Sequence, residues 1–215
     1  MAPPPSPGAA RSLFHTLVHE GSLTGGPSFP AFNAELEAAC RSLAVEDRAG
    51  RAWCRDNGYG GYTSYASLDD LPTRMSVFDD LRRRLDKQVA TFAEELAFDL
   101  KGRRLKLDSL WVNVLKPGAA HSGHIHPHSA ISGTVYVVTP PGAGGLRLED
   151  PRLSAMMAAP LRRADAPQAL KPFGTLMPAP GAVFLWESWL RHEVLASTGP
   201  RSGGAERISI SFNYA

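Results

Sequence analysis

Histidine is unevenly distributed along this sequence, and its densest cluster has the composition of a metal site. The chain has 215 residues and seven histidines, and four of these lie close together: His121, His124, His126 and His128. Imidazole nitrogens suit iron, zinc, copper and nickel. Side chains two residues apart on a strand point to the same face, about 7 Å apart along the chain. His124 and His126 can therefore converge on a single ion.

A catalytic metal site needs protein ligands on one side and open positions on the other. A third ligand must therefore come from elsewhere in the chain, and the only histidine after the cluster is His192. It lies in an apolar segment that we expect to return across a sheet. We predict that His124, His126 and His192 bind the metal.

The last segment of the chain, residues 206–214, alternates with period two. One face carries Ile208, Ile210 and Phe212, and the other carries Arg207, Ser209, Ser211 and Asn213. An arginine inside a barrel needs an anionic partner. Arg207 can hold a carboxylate through two parallel hydrogen bonds, and Ser209 can add a third. The alternative is an edge strand whose polar face is exposed to solvent.

The elements that must position these residues are strands. Short runs of β-branched and aromatic residues, separated by Pro and Gly, occupy residues 110–115, 131–138, 145–149, 182–186 and 207–214. No helical pattern separates them. The C-terminal part, residues 105–215, therefore indicates an antiparallel sandwich or barrel.

The N-terminal part, residues 12–104, is predicted to be a mainly helical supporting layer. A short strand is expected over residues 13–18, followed by a helix that begins at Asn33 as its N-cap. The segment of residues 56–65 is rich in Gly and Tyr. This composition favours an irregular loop, either a lid over a substrate or a packed surface loop.

A long amphipathic helix is predicted from Ser76 to about Lys101. Its apolar residues recur every three or four positions, and Ser76 and Asp79 have the order of a capping box. The arginine run at positions 82–84 falls on the outer face, where solvation explains it better than an anion site. We expect this helix to lie against the sheet.

Composition limits the protein class. The length suits a single domain over residues 1–215, and residues 1–11 are predicted to be a disordered arm because they are rich in Pro, Ala and Gly. The net charge of +2 gives no basic field that would imply nucleic acid.

Only Cys40 and Cys54 are present, and we expect both to be reduced. With no signal peptide and no apolar run of about 20 residues, a cytoplasmic protein without a membrane segment is expected.

The order of these motifs resembles the 2-oxoglutarate and Fe(II)-dependent oxygenases. The resemblance lies in the His-x-His pair at 124–126, the later His192, and Arg207-Ile-Ser209 on the following strand. More narrowly, the chain is similar to an uncharacterised bacterial branch of that superfamily. The segments that carry this similarity are residues 111–114, 124–127, 132–136, 150–152, 186–189 and 207–213.

This resemblance implies a double-stranded β-helix of the jelly-roll type flanked by N-terminal helices. It also implies Fe(II), 2-oxoglutarate as cosubstrate and O2, with hydroxylation of a substrate and succinate and CO2 as co-products. By position, His124 and His192 match the histidine ligands of the family. Arg207 and Ser209 match its carboxylate anchor, and Asn113 and Tyr136 match positions that add hydrogen bonds to the cosubstrate.

The chain departs from the family at His126, where most members have Asp or Glu. Three neutral imidazoles can hold the metal, or a carboxylate from Glu149 or Asp150 can substitute. A further alternative is that His128 binds instead. His121 is expected to lie near the ligands or to face solvent.

The substrate is expected to be a small molecule or a peptide, with Arg152, Trp186 and Trp189 as candidate pocket residues. Two rival functions stay open at this point. Three histidines and a water are also a zinc pattern, which suits a zinc hydrolase or a cupin-like isomerase. A non-catalytic sensor of metal and 2-oxoglutarate is the other rival.

Overall fold

The computed structural model describes residues 8, 10–152, 154, 157, 160–199 and 204–215. Most of the predicted N-terminal arm, residues 1–7 and 9, lies outside the described residues. In chain order the regular elements are β1 (Val18–Ser22), α1 (Phe29–Glu46), α2 (Arg48–Asp56), β2 (Gly61–Thr63), α3 (Leu71–Arg74), α4 (Ser76–Glu95), β3 (Leu107–Leu115), β4 (His121–His124), β5 (Ile131–Val138), β6 (Leu146–Glu149), a 3-10 turn (Gln168–Leu170), β7 (Phe173–Leu176), β8 (Ala182–Glu187), β9 (His192–Val194) and β10 (Arg207–Tyr214).

The strands form two facing sheets. The larger sheet has the order β1-β8-β5-β10-β3-β2, and the smaller has the order β4-β9-β6-β7. Every pairing between named strands is antiparallel. From β3 to β10 the chain passes back and forth between the sheets, which is the winding of a double-stranded β-helix. The predicted jelly-roll fold is confirmed, with β1 and β2 added at the two edges of the larger sheet.

The main hydrophobic core lies between the helices and the outer face of the larger sheet. Helix α4 buries one apolar stripe, made of Phe78, Leu81, Leu85, Val89 and Phe92. It packs in the same cluster as Ile208, Ile210 and Phe212 of β10. Full burial of each such side chain contributes about 1.5–3 kcal/mol. This layer supports β10 from outside, while the opposite face of the strand points between the sheets.

The N-terminal boundaries differ from those predicted. The strand expected over residues 13–18 begins only at Val18. Helix α1 begins at Phe29 with Ser28 as its N-cap, because Pro30 fits the first turn and has no N–H to leave unpaired. Asn33 is therefore not the N-cap; it lies inside the helix, and its Nδ2 donates to the Val137 carbonyl over 3.1 Å.

The predicted capping box on α4 is wrong, because Met75 is the N-cap and no side chain caps this end. The helix also ends at Glu95, well before Lys101. Ala97 takes a positive φ of 55°, and the N–H groups of Ala97 and Phe98 donate to the carbonyls of Glu94 and Ala93. This is the Schellman arrangement, which satisfies the last carbonyls and stops the helix.

The Gly- and Tyr-rich segment is more regular than predicted, since it ends α2 and contains strand β2, paired with β3. Whether it acts as a lid stays a prediction. Cys40 and Cys54 are free and buried, as expected. Among the described residues, none of the helices has both the length and the apolar character needed to cross a membrane.

Candidate metal centre

Three histidines converge between the two sheets. His124 ends β4 and His192 begins β9, and the two are direct partners in the strand pairing. His126 follows two residues after β4. One nitrogen of each ring lies within 4.8 Å of the other two, a spacing that can hold one metal ion. The sequence prediction named these same three residues.

The tautomers of two of these rings are fixed by the backbone. His124 Nδ1 lies 2.7 Å from the Ser122 carbonyl oxygen, and His192 Nδ1 lies 2.9 Å from the Leu190 carbonyl oxygen. A carbonyl only accepts, so each Nδ1 carries the proton and donates it. Each Nε2 is left with a free lone pair, which is the state that a metal requires.

The third ring is held by side chains. His126 Nδ1 lies 2.6 Å from Asn213 Oδ1 and 2.8 Å from Ser132 Oγ, and its Nε2 lies 3.1 Å from His124 Nε2. Burial lowers the pKa of His126 to about 4 and that of His192 to about 3. Both rings are therefore neutral at neutral pH. Two facing lone pairs at this distance favour a shared cation between them.

Arg207 is buried inside the same cavity with its guanidinium only partly satisfied. The residue is 5% exposed, and one Nη donates to the Gly144 carbonyl over 3.1 Å. Its Nε has no hydrogen-bond partner, and among the described residues no carboxylate pairs with it. Burial lowers the pKa of Arg207. Because a buried unpaired charge is costly, the cavity fits an anion at this position, as the distal carboxylate of 2-oxoglutarate would provide.

The other predicted cosubstrate residues line this cavity too. Ser209, Asn113 and Tyr136 all belong to its wall. Asn113 is already engaged: its Oδ1 accepts from the hydroxyls of Tyr59 (3.2 Å) and Thr63 (2.9 Å), and its Nδ2 donates to Ser211 Oγ over 3.0 Å. Among the described residues, Asn113 Nδ2 donates only this one hydrogen bond.

The geometry does not support the alternatives to His126. Glu149 forms an ion pair with Arg191 over 3.0 Å, and Asp150 forms one with Arg152 over 2.8 Å. Within the described part of the chain, neither carboxylate joins the histidine group. His128 is exposed and has a positive φ of 71°.

His121 lines the cavity. Its ring stacks on that of His124, with centroids 4.6 Å apart, and meets the edge of Tyr59 at 5.8 Å. Burial lowers the pKa of His121 to about 4. His121 therefore lies beside the predicted ligands, which is one of the two positions expected for it.

The three candidate substrate residues are not together. Trp186 is buried in the cavity wall, with its ring centroid 4.6 Å from that of His192, and its Nε1 has no hydrogen-bond partner in the described part of the chain. Trp189 is 46% exposed, and Arg152 is exposed in its ion pair with Asp150. Neither of these two belongs to the wall of the histidine cavity.

Several wall residues were not predicted. Tyr59 and Trp111 line the cavity, and the Trp111 ring lies 5.8 Å from that of His126. Asn213 and Ser132 hold His126, and Ser132 Oγ lies 2.7 Å from Ser188 Oγ. The alternation of the last strand places Asn213 on the face of Arg207. No comparable sequence signal marks Ser132.

A double-stranded β-helix that brings together three imidazoles and an arginine with no carboxylate partner among the described residues fits a non-haem metalloenzyme. A family model described as "Putative 2OG-Fe(II) oxygenase" matches residues 109–213. This match confirms the resemblance to the 2-oxoglutarate and Fe(II)-dependent oxygenases that the motifs predicted. It is an oxygenase that uses Fe(II) and 2-oxoglutarate. No curated protein matches the sequence.

Solved structures of similar fold include a Pseudomonas putida prolyl-4-hydroxylase, with 16% identity, a TM-score of 0.55 and coverage of 93% of this chain and 92% of that one. The epimerase SnoN from nogalamycin biosynthesis has 19% identity and a TM-score of 0.58, covering 93% and 78%. HygX from Streptomyces hygroscopicus, with nickel, 2-oxoglutarate and hygromycin B bound, has 15% identity and a TM-score of 0.57, covering 93% and 83%. At these identities the likeness concerns the fold.

Proposed function

We propose that His124, His126 and His192 hold Fe(II), that Arg207 and Ser209 hold the distal carboxylate of 2-oxoglutarate, and that the enzyme hydroxylates a small molecule or a peptide. One observation carries the assignment. Three imidazole nitrogens lie within 4.8 Å of one another in a cavity that also contains a buried arginine whose Nε has no hydrogen-bond partner among the described residues. A bound cation would satisfy the three imidazoles, and a bound anion would satisfy the arginine.

When bound, iron and 2-oxoglutarate supply the activation of O2, with succinate and CO2 as co-products. The residues of the chain supply binding, orientation and exclusion of water. Arg207 fixes one end of the cosubstrate, and Ser209, on the same face of β10, can add a hydrogen bond to the same carboxylate. Asn113 and Tyr136 are proposed to contribute further hydrogen bonds. Trp186 and Tyr136 are both buried, and their rings help to exclude water from the cavity.

The donor set is unusual for the superfamily because it has no carboxylate. Three neutral imidazoles leave the bound iron one unit more positive than two imidazoles and a carboxylate would. Among the described residues, none of those that line the cavity is acidic. This charge disfavours a cationic group beside the metal and supports a neutral or anionic substrate.

The charge of the chain and the variety of proteins that share its fold bear on the substrate class. The net charge of +2 offers no argument for nucleic acid. The proteins of similar fold include a prolyl-4-hydroxylase, an epimerase and a protein crystallised with hygromycin B. Such different proteins share the fold, so hydroxylation is our proposal for the reaction and Trp186, Trp189 and Arg152 are our candidates for substrate contact. We place the protein in the cytoplasm.

Anaerobically purified protein should be loaded with Fe(II) and given 2-oxoglutarate and O2, first alone and then with pools of candidate metabolites and peptides. We expect O2 consumption and succinate formation that require both Fe(II) and 2-oxoglutarate and that one pool stimulates. Retention of zinc with no effect of 2-oxoglutarate would instead favour the zinc enzyme. Tight binding of 2-oxoglutarate without any turnover across the pools would favour the sensor.

A further inference from the structure

The three predicted ligands are anchored in two different ways. His124 and His192 donate from Nδ1 to carbonyls two residues earlier in their own strand or turn, at Ser122 and Leu190. Because the acceptors are main-chain carbonyls, these contacts do not depend on the side chains of Ser122 and Leu190. The Nδ1 of His126 instead meets the side chains of Asn213, on β10, and Ser132, on β5. The orientation of His126 therefore depends on particular side chains.

The hydrogen-bond network around Asn213 assigns the direction of each bond. Asn213 Nδ2 donates to Ser109 Oγ over 3.1 Å, so its Oδ1 faces the ring of His126. That oxygen accepts from Ser132 Oγ over 2.8 Å. An amide oxygen has no hydrogen to give, so the bond to His126 over 2.6 Å requires a proton on Nδ1. The lone pair of His126 is then left on Nε2, which faces the Nε2 of His124 at 3.1 Å.

Burial makes this network effective. Ser132 and Ser188 are fully buried and Asn213 is 8% exposed, so water competes little for these bonds. The ring of His126 is also tilted against Trp111, at 5.8 Å between centroids. A polar residue that loses its partner here stays unsatisfied, which costs more than the bond itself contributes.

The same strand carries the proposed anchor of the cosubstrate. Arg207 and Asn213 lie on one face of β10, separated by Ser209 and Ser211. The strand pairs on both sides, with β3 and β5. A rigid central strand therefore sets both the orientation of His126 and the position of the carboxylate site.

We propose that Asn213, supported by Ser132, is a positioning residue that fixes the tautomer and orientation of His126, so that an imidazole can occupy the place of the usual carboxylate ligand. This inference rests on the proposed function, because it assumes that His126 binds the metal. Residues that hold metal ligands commonly change metal affinity by about 10- to 100-fold when removed.

The test compares Asn213→Leu, which removes the acceptor, with Asn213→Asp, which keeps an oxygen acceptor. Asn33→Leu is the matched control, because it removes a partly buried amide contact to Val137, and neither of these residues lines the cavity. Two-bond nitrogen–proton NMR of the metal-free proteins, with His126 assigned by His126→Gln, reports the tautomer. Competition titration with Co(II) reports the affinity, and thermal unfolding reports the stability of each variant.

We expect wild-type protein to show the proton on Nδ1 of His126 and Asn213→Leu to show a mixture of tautomers with about 10- to 100-fold weaker Co(II) binding. Asn213→Asp should keep the wild-type tautomer and bind Co(II) within about threefold of wild type. An unchanged tautomer and Co(II) affinity in Asn213→Leu overturns the inference alone. Equal losses of Co(II) affinity in Asn213→Leu and Asn33→Leu overturn it as well. Failure of wild-type protein to bind Co(II) overturns the proposed function together with it.

Discussion

His124 and His192 face each other across the paired strands β4 and β9, with their ring centroids 4.3 Å apart. The two residues are far apart in the chain, and the smaller sheet brings them together as direct partners. Both rings donate from Nδ1 to nearby carbonyls. Their Nε2 atoms are therefore left to face a common metal position.

Replacing His192 by Gln should abolish stable Fe(II) binding, because it removes one of three donors from a site that has no carboxylate. The bound iron can be measured by metal analysis after anaerobic gel filtration. His19→Gln is the control: His19 is bonded to Gln88 on the helical side of the protein and should leave the iron content unchanged. Full iron occupancy in His192→Gln would remove His192 from the ligand set.

Replacing Arg207 by Met should have opposite effects on ligand affinity and on stability. Loss of the charge-assisted bonds should weaken 2-oxoglutarate binding about 10- to 100-fold. Without cosubstrate, the free energy of unfolding should rise by about 1 kcal/mol, because a buried charge with an unpaired Nε is removed. Calorimetric titration and urea unfolding measure the two effects. Unchanged affinity for 2-oxoglutarate would contradict the assigned anchor.

Replacing His126 by Asp should preserve metal binding, whereas His126→Leu should lose it, since only the first keeps a donor at this place. The aspartate also lowers the charge of the loaded centre by one unit. We therefore expect the binding of a monoanion such as azide to the Co(II) form to weaken by about tenfold or more in His126→Asp. Visible absorption of the Co(II) protein follows both processes. Equal azide affinity in the wild-type and His126→Asp proteins would argue against three neutral ligands in the wild-type site.

The contact between α4 and the last strand should contribute measurably to stability. The hydroxyl of Tyr214 donates to Asp86 Oδ1 over 2.7 Å, and burial raises the pKa of Tyr214. Tyr214→Phe should lower the free energy of unfolding by about 1–3 kcal/mol, because a hydrogen bond to a charged group is lost, while Asp86 keeps its ion pair with Arg82. Tyr65→Phe, at an exposed tyrosine, is the control and should change it by less than about 0.5 kcal/mol.

Sequence patterns predicted the parts of the site that have a regular period. The alternation of residues 206–214 separates Arg207 and Ser209 from Ile208 and Ile210, and the structure has the same division between cavity and core. The pair His124 and His126 was likewise visible because both lie close together in a cluster of one rare residue type.

Other features could not be predicted because they arise from tertiary contacts. Strand β9 spans only His192–Val194, too short for a periodic signal, and it exists because β4 and β6 flank it. Ser132 sits in an apolar run, and nothing in that run indicates that its hydroxyl meets His126 and Asn213. The end of α4 depends on a left-handed Ala97, a conformation that sequence rarely indicates for alanine.

The most direct measurement is an anaerobic titration of the Fe(II)-loaded protein with 2-oxoglutarate, followed by visible charge-transfer absorption of the chelate and by calorimetry. We predict one iron per chain, one 2-oxoglutarate per iron, and an absorption change that is absent without Fe(II) and lost in His192→Gln. Full iron loading with no binding of 2-oxoglutarate would contradict this prediction.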